Sequence, residues 1–274
     1  MIHPPVSVLL PFRNAEKYID EALESISLQT FGDFEVVLVN DGSRDESAII
    51  AGERCSEDPR FIPIESDGRG LVDALNTGLA NCRGEWIARM DADDIALPGR
   101  IGKQYELALS EGSRTIVSCR VRSFPDDLVT DGYRNYENWL NALTGADELE
   151  KNLFVESPVP HPTAFFHRQM IIDAGGYSEK ELPEDYELWL RWMDAGVRFG
   201  KVNEHLLDWN DHARRLTRTD TRYAVDAFYE TKFLYLSKWL KQNSPQNNHV
   251  WIWGAGPKTR KRIRGIWLSE RRNS

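Results

Sequence analysis

Cysteine is scarce in this sequence: Cys55, Cys82 and Cys119 are odd in number and widely spaced, with no CxxC pair. That excludes a disulfide framework and a zinc or redox motif, and points to ordinary thiols in a reducing cytoplasm. Long apolar runs are missing as well. No stretch reaches the roughly 18 apolar residues of a spanning helix. The N-terminus "MIHPPVSVLLPFRN" has no basic n-region and is broken by Pro11, so it does not read as a signal peptide. Positive charge is in deficit, 34 Lys and Arg against 43 Asp and Glu. The resulting formal charge of −9 argues against nucleic acid as a partner, since duplex affinity rests on neutralising phosphates. What remains, 41% hydrophobic and 28% charged over 274 residues, is a globular composition with ample core and no internal repeat.

The first hundred residues alternate strand and helix patterns. Val6 to Leu10 reads as a strand, followed by a helical pattern through Ala15, Tyr18, Ile19, Ala22, Leu23 and Ile26 with Asn14 as its expected N-cap. Phe34 to Asn40 is a second strand, ended by the turn signal Asp41-Gly42-Ser43. A helix from Ser47 to Cys55, the strand "FIPI", a helix carrying Leu71, Val72, Leu75 and Leu79, and a strand from Trp86 to Met90 follow. This βαβαβαβ run predicts a mostly parallel sheet with helices on both faces.

Beyond a helix from near Pro98 to about Glu111 and a strand from Thr115 to Cys119, the pattern loosens into loop with short helices. Then come a strand in "TAFF", a short helix near Met170 to Ala174, an amphipathic helix in "EDYELWLRWMDAG", two short strands "FGKV" and "LLDW", and a long helix from about Thr221 to Lys241. The expected organisation is one domain over 1–240, with halves 1–96 and 97–220 and a helix over 221–240. A linker over 241–249 and a basic segment over 250–274 complete it. "VWIWGAG" opens that last segment like a dinucleotide fingerprint, but Thr259 stands at the third glycine position, so the segment is at most the start of an incomplete Rossmann-like unit.

The stretch "ARMDADDIALPGR" places Asp91, Asp93 and Asp94 where a strand gives way to a loop. Carboxylates that close resist ionising together, so the cluster asks for a cation or a donor-rich ligand. Asp41 and the cluster would open onto the same carboxyl edge of a parallel sheet, where ligands bind. A nucleoside diphosphate suits both, with ribose and base donors for one carboxylate and phosphates that share a magnesium or manganese ion with another. A calcium loop of the EF-hand kind fails by counting, because Ala96 and Gly102 stand where Gly and Glu are needed.

The ordered series "PFRN", "VNDGS", "GLVDALNTGL", "MDADD", "HPTAFF" and "EDYELWLR" resembles glycosyltransferase family 2 over about residues 4–220. The resemblance implies the GT-A fold, a Rossmann-like, mostly parallel central sheet flanked by helices. It implies a nucleotide-sugar donor, Mn2+ or Mg2+, and transfer with inversion; Asp41 would accept a hydrogen bond from uracil or thymine and also from guanine, and UDP is the favoured donor among these. Position by position, it puts Pro11, Arg13 and Asn14 on a nucleotide-contacting loop, Asp41 at the nucleobase, Asp91 near the ribose and Asp93 on the metal, with Asp91 a further expected metal ligand. The resemblance also offers His212 as a further metal ligand and places Arg215 and Arg218 in a segment expected to close over the diphosphate. Asp185 matches the general base that an acceptor hydroxyl requires.

Asp94 reads as a capping or supporting residue, and His161 either lines the acceptor pocket or is a buried structural histidine. Trp139, Trp189 and Trp192 are candidate sugar-stacking surfaces, the last two also candidates for core. The glutamine-rich signature of processive synthases is missing, which favours single-sugar transfer. The expected acceptor is a glycan or a lipid-linked one, with peripheral membrane contact through the basic C-terminus. The alternatives are a haloacid-dehalogenase-like phosphohydrolase, against which Asp94 and Ile95 stand where that motif expects otherwise, and a noncatalytic sugar-nucleotide binding protein.

Overall fold

In the computed structural model, which describes residues 3–212, 215–243, 256–257 and 259–260, the apolar runs assemble into one eight-stranded sheet. The strands are β1 (Val6–Phe12), β2 (Phe34–Asn40), β3 (Phe61–Glu65), β4 (Trp86–Arg89), β5 (Ile95–Ala96), β6 (Thr115–Phe124), β7 (Phe165–His167) and β8 (Arg198–Asn210). The helices are α1 (Ile19–Ser27), α2 (Ser47–Glu57), α3 (Leu71–Asn81), α4 (Arg100–Glu111), α5 (Asp131–Ala142), α6 (Ala146–Asn152), α7 (Arg168–Asp173), α8 (Glu184–Asp194), α9 (Leu216–Thr219) and α10 (Val225–Asn243). Residues up to Glu179 together with Gly196–His212 form one compact unit that holds the sheet. Residues 180–195 with the described residues after 214 form a second, which holds α8, α9 and α10.

Strand order is β3-β2-β1-β4-β7-β6-β8-β5. β3, β2, β1 and β4 pair in parallel, as do β6 and β8, whereas β7 is antiparallel to both of its neighbours. Two antiparallel pairings in succession restore direction, so β1, β2, β4, β6 and β8 all end at one edge. β1 and β2 are buried at every position, as expected for central parallel strands covered on both faces. Above them α1 buries Ile19, Ala22, Leu23 and Ile26. α3 comes so close that a Cβ on Gly78 would stand 2.2 Å from Leu9 Cδ1.

Several local expectations are corrected. Asn14 does not cap α1: it adopts φ +52°, and the helix starts at Ile19 after a turn in which Tyr18 and Ile19 N–H bond to Ala15 O. The "FGKV" and "LLDW" strands are one strand, because β8 slips register against β6 at a bulge near Arg120, which breaks the apolar alternation without ending the pairing. β6 runs on to Phe124, and the short edge strand β5 pairs antiparallel with β8. Lys241 to Asn243 belong to α10 rather than to a linker. Residues 244–249 and most of the basic segment 250–274 lie outside the described residues.

All three cysteines are free; burial pushes the Cys82 and Cys119 thiols up to about 12 and about 11. Lys201 is buried under α5, its Nζ donating to Leu140 O at 2.7 Å, and burial lowers its pKa to about 8. Below that pH both folded and unfolded chains carry the proton, so the burial penalty is fully present. Between about 8 and the unfolded value near 10.5 the unfolded chain holds more protons and stability rises with pH. Lys201→Met is therefore expected to raise unfolding free energy at pH 7 by roughly 2 kcal/mol. Denaturant titrations at pH 7 and 9.5 check this: the gain shrinks at the higher pH.

Candidate functional site

The loops leaving β1 and β2 are tied together at the shared edge. Pro11 is buried within β1, opposite Val39, and fixes where Arg13 and Asn14 leave the strand. Asn14 Oδ1 accepts from Arg44 N at 2.9 Å and its N–H donates to Ser43 Oγ at 3.1 Å, so its left-handed backbone and its side chain hold the second loop against the first. Asp41 is 3% exposed. Its Oδ1 accepts from Ser66 Oγ at 2.9 Å and from Gly70 N–H at 3.3 Å, and its Oδ2 takes Arg13 Nη1 at 3.1 Å. Gly70 is required here: its φ of +112° is open only to glycine, and that backbone turns its N–H to the carboxylate.

After β4 the acidic cluster lies at the same edge. One oxygen from each of Asp91, Asp93 and Asp94 lies within 4.8 Å of the others. Asp93 Oδ2 is 2.8 Å from His212 Nε2, and the His212 ring stacks on Tyr18 at 4.8 Å between centroids and 20° between planes. Asp94 is buried, and its Oδ1 accepts from Asn210 N–H at 2.9 Å. It thus braces the end of β8 rather than capping α4. Arg89, 1% exposed, sits behind the cluster with Nη2 2.6 Å from Asp91 Oδ1. Hard oxygens with one imidazole suit a manganese or magnesium ion, so the residues present fit the cation that the sequence calls for.

In the second unit, α8 carries three acids in its first turn. Glu184 and Glu187 are buried and accept from Tyr223 Oη at 2.6 Å and Tyr235 Oη at 2.5 Å; Glu187 also pairs with Arg191 at 3.0 Å. Burial, then the Glu184 and Asp185 charges, raise the Tyr223 hydroxyl well above its ordinary pKa. Asp185 is half-buried, with Oδ1 2.6 Å from Tyr186 N. Arg215 directly precedes α9 and Arg218 lies on it, exposed. Trp189 and Trp192 are fully buried and belong to the core, whereas Trp139 is half-buried and stacks on Tyr136 at 5.7 Å. His161 is buried with Nε2 2.9 Å from Tyr177 Oη.

Sequence reasoning missed Ser66 and Gly70 on Asp41, Tyr18 under His212, and Arg89. Tyr18 entered it only as an apolar position of the first helix.

A mixed sheet with parallel strands ending on an acidic, cation-suited edge defines the class: this is a GT-A fold glycosyltransferase. Within that class the chain belongs to glycosyl transferase family 2, whose profile matches residues 7–175. Among relatives, it is 29% identical to the O-antigen biosynthesis glycosyltransferase WbnJ of Escherichia coli over 245 residues, covering 88% of this chain and 91% of that one. It is 26% identical, covering 86% of each chain, to the UDP-Gal:alpha-D-GlcNAc-diphosphoundecaprenol beta-1,3-galactosyltransferase of Escherichia coli. The mannosyltransferase PcManGT of Pyrobaculum calidifontis, solved with GDP-Man and Mn2+, shares the fold with a TM-score of 0.60 and 20% identity, covering 97% of this chain and 70% of that one. The family match sets aside the phosphohydrolase and noncatalytic readings.

Proposed function

We propose that the chain transfers a single sugar from a UDP-sugar to a hydroxyl of a lipid-linked glycan, with inversion and with a divalent ion, in the building of a surface polysaccharide. The observation that carries the donor is the occupancy of Asp41. Its Oδ1 already serves Ser66 and Gly70, so Oδ2, shared with Arg13, is the oxygen left for a base. Uracil presents one N3–H flanked by two carbonyls and needs one oxygen, with Arg13 a natural donor to a neighbouring carbonyl. Guanine presents two adjacent donors and needs both oxygens of a carboxylate. The relative that uses UDP-Gal on a diphosphoundecaprenol-linked acceptor supports the same donor base and the same acceptor class.

Asp93, with Asp94 and His212 beside it, would hold Mn2+ or Mg2+, which when bound offsets the charge of the donor's diphosphate, and Asp91 would face the donor's ribose. Asp185 accepts the proton of the acceptor hydroxyl as its oxygen bonds to the sugar's anomeric carbon and the bond to the diphosphate breaks. Arg215 and Arg218 neutralise the departing diphosphate. No helix among the described residues is long and apolar enough to cross a membrane. The enzyme would meet its acceptor from the cytoplasm at the membrane's inner face, with the basic C-terminal residues in contact.

Calorimetric titration in Mn2+ tests the donor assignment. UDP is expected to bind at least about tenfold more tightly than GDP, and Asp41→Asn to remove most of that difference. GDP binding as tightly as UDP would overturn the assignment.

A further inference from the structure

Arg89 ends the central strand β4, whose other residues, Trp86, Ile87 and Ala88, are apolar and buried like Arg89 itself. A guanidinium is tolerated in such a place only with compensating charge, because an unpaired buried ion is strongly destabilising. Asp91 supplies that charge: Arg89 Nη2 holds Oδ1 at 2.6 Å, while the Asp91 side chain keeps 30% exposure. Arg100, 2% exposed, fixes the backbone beneath. Its Nη2 donates to Arg89 O and to Pro162 O, its Nη1 lies 3.0 Å from Met90 Sδ, and its Nε donates to Gln104 Oε1 at 3.1 Å. Two buried cations therefore stand under the three carboxylates, and the one that Arg89 holds is Asp91.

We propose that Arg89 is a positioning residue that divides the acidic cluster: by holding Asp91 Oδ1 it withholds this carboxylate from the divalent ion and keeps it for the ribose hydroxyls of the donor. The ion is then left to Asp93 and Asp94, with His212 beside them. The ribose half of this division rests on the donor reading above; the ion half does not. Without Arg89, the three carboxylates lose a nearby positive charge and Asp91 is released to join the ion. Ion affinity then rises while nucleotide affinity falls. A residue that merely supports the fold would weaken both together.

The test uses the full chain without nucleotide, titrated with Mn2+ and followed by electron paramagnetic resonance. Arg89→Met is expected to bind Mn2+ about tenfold more tightly than wild type, the order set by removing a unit charge close to a divalent ion. Arg89→Lys, which keeps the charge, stays near wild type, and adding Asp91→Asn to Arg89→Met returns affinity to near the wild-type value. With Mn2+ saturating, UDP affinity falls by about tenfold in Arg89→Met, and the preference for UDP over its 2′,3′-dideoxy analogue disappears. Unchanged or weaker Mn2+ binding in Arg89→Met overturns the proposal. If that variant does not fold, Asp91→Asn alone decides. Loss of the preference for UDP over its 2′,3′-dideoxy analogue supports the division; a preference that persists in Asp91→Asn, as expected of a carboxylate spent on the ion, overturns it. Failure of the wild type to bind UDP would instead count against the donor reading, while the Mn2+ titration would still decide the role of Arg89.

Discussion

Asp185→Asn is expected to lower kcat by about a thousandfold while leaving donor affinity within about twofold. The asymmetry follows from what each acid of α8 does. Glu184 and Glu187 are buried and hydrogen-bonded to Tyr223 and Tyr235, so they anchor the helix; Asp185 lies between them, half-buried, in the helix's first turn. The helix dipole favours its ionised form, the form a base needs. Asparagine keeps its shape and its oxygen near Tyr186 N, so the helix persists and only proton acceptance is lost. Steady-state kinetics and donor titration on the same preparation check this. A drop in donor affinity that matched the drop in kcat would place Asp185 in donor binding instead, and unchanged kcat would remove it from the mechanism. Glu187→Gln is the contrasting variant: it weakens the pair with Arg191 and the bond from Tyr235, so its effect falls on stability rather than on kcat alone.

Asp93→Ala is expected to reduce transfer by at least about a thousandfold by removing divalent-ion support for the leaving diphosphate, with little cost to the nucleotide-free fold. Its side chain is 26% exposed and pairs with His212, itself held by the Tyr18 stack, so the variant loses a part-exposed interaction. Such interactions contribute about 1 kcal/mol or less. Activity measured across Mn2+ concentrations distinguishes loss of the ion from loss of folding. Recovery of wild-type rates at high Mn2+ would show that Asp93 only tunes affinity.

The parts of the fold that could be read from the sequence are those where one rule acted alone. β1 and β2 are unbroken apolar runs with turn signals after them, and both are central strands buried at every residue. β8 reads as two strands in the sequence because its bulge interrupts the alternation, and a bulge is set by the partner β6, which lies some 80 residues away. Asn14 has two local uses, helix cap and left-handed turn residue, and only its bond with Arg44 selects the second. At the candidate site, the acidic run announced a need for charge compensation, and the structure brings His212, 119 residues away in sequence, to Asp93. Ser66, Gly70 and Arg89 could not be read in advance. A serine, a glycine and an arginine have many ordinary explanations, and theirs depend on which carboxylate the folded chain sets beside them.

The central claim, that Asp41 and the Asp91–Asp93–Asp94 cluster form a cation-dependent nucleotide-sugar site, is tested most directly by thermal unfolding. Wild type and Asp93→Ala would each be measured with UDP, GDP, CDP and dTDP, with and without Mn2+. The account predicts that UDP with Mn2+ raises the wild-type melting temperature by several degrees, about the shift expected for a ligand near a hundred times its Kd, and that the rise disappears without the ion and in Asp93→Ala. A melting temperature unmoved by every diphosphate, or a UDP effect that persists undiminished in Asp93→Ala, would contradict it.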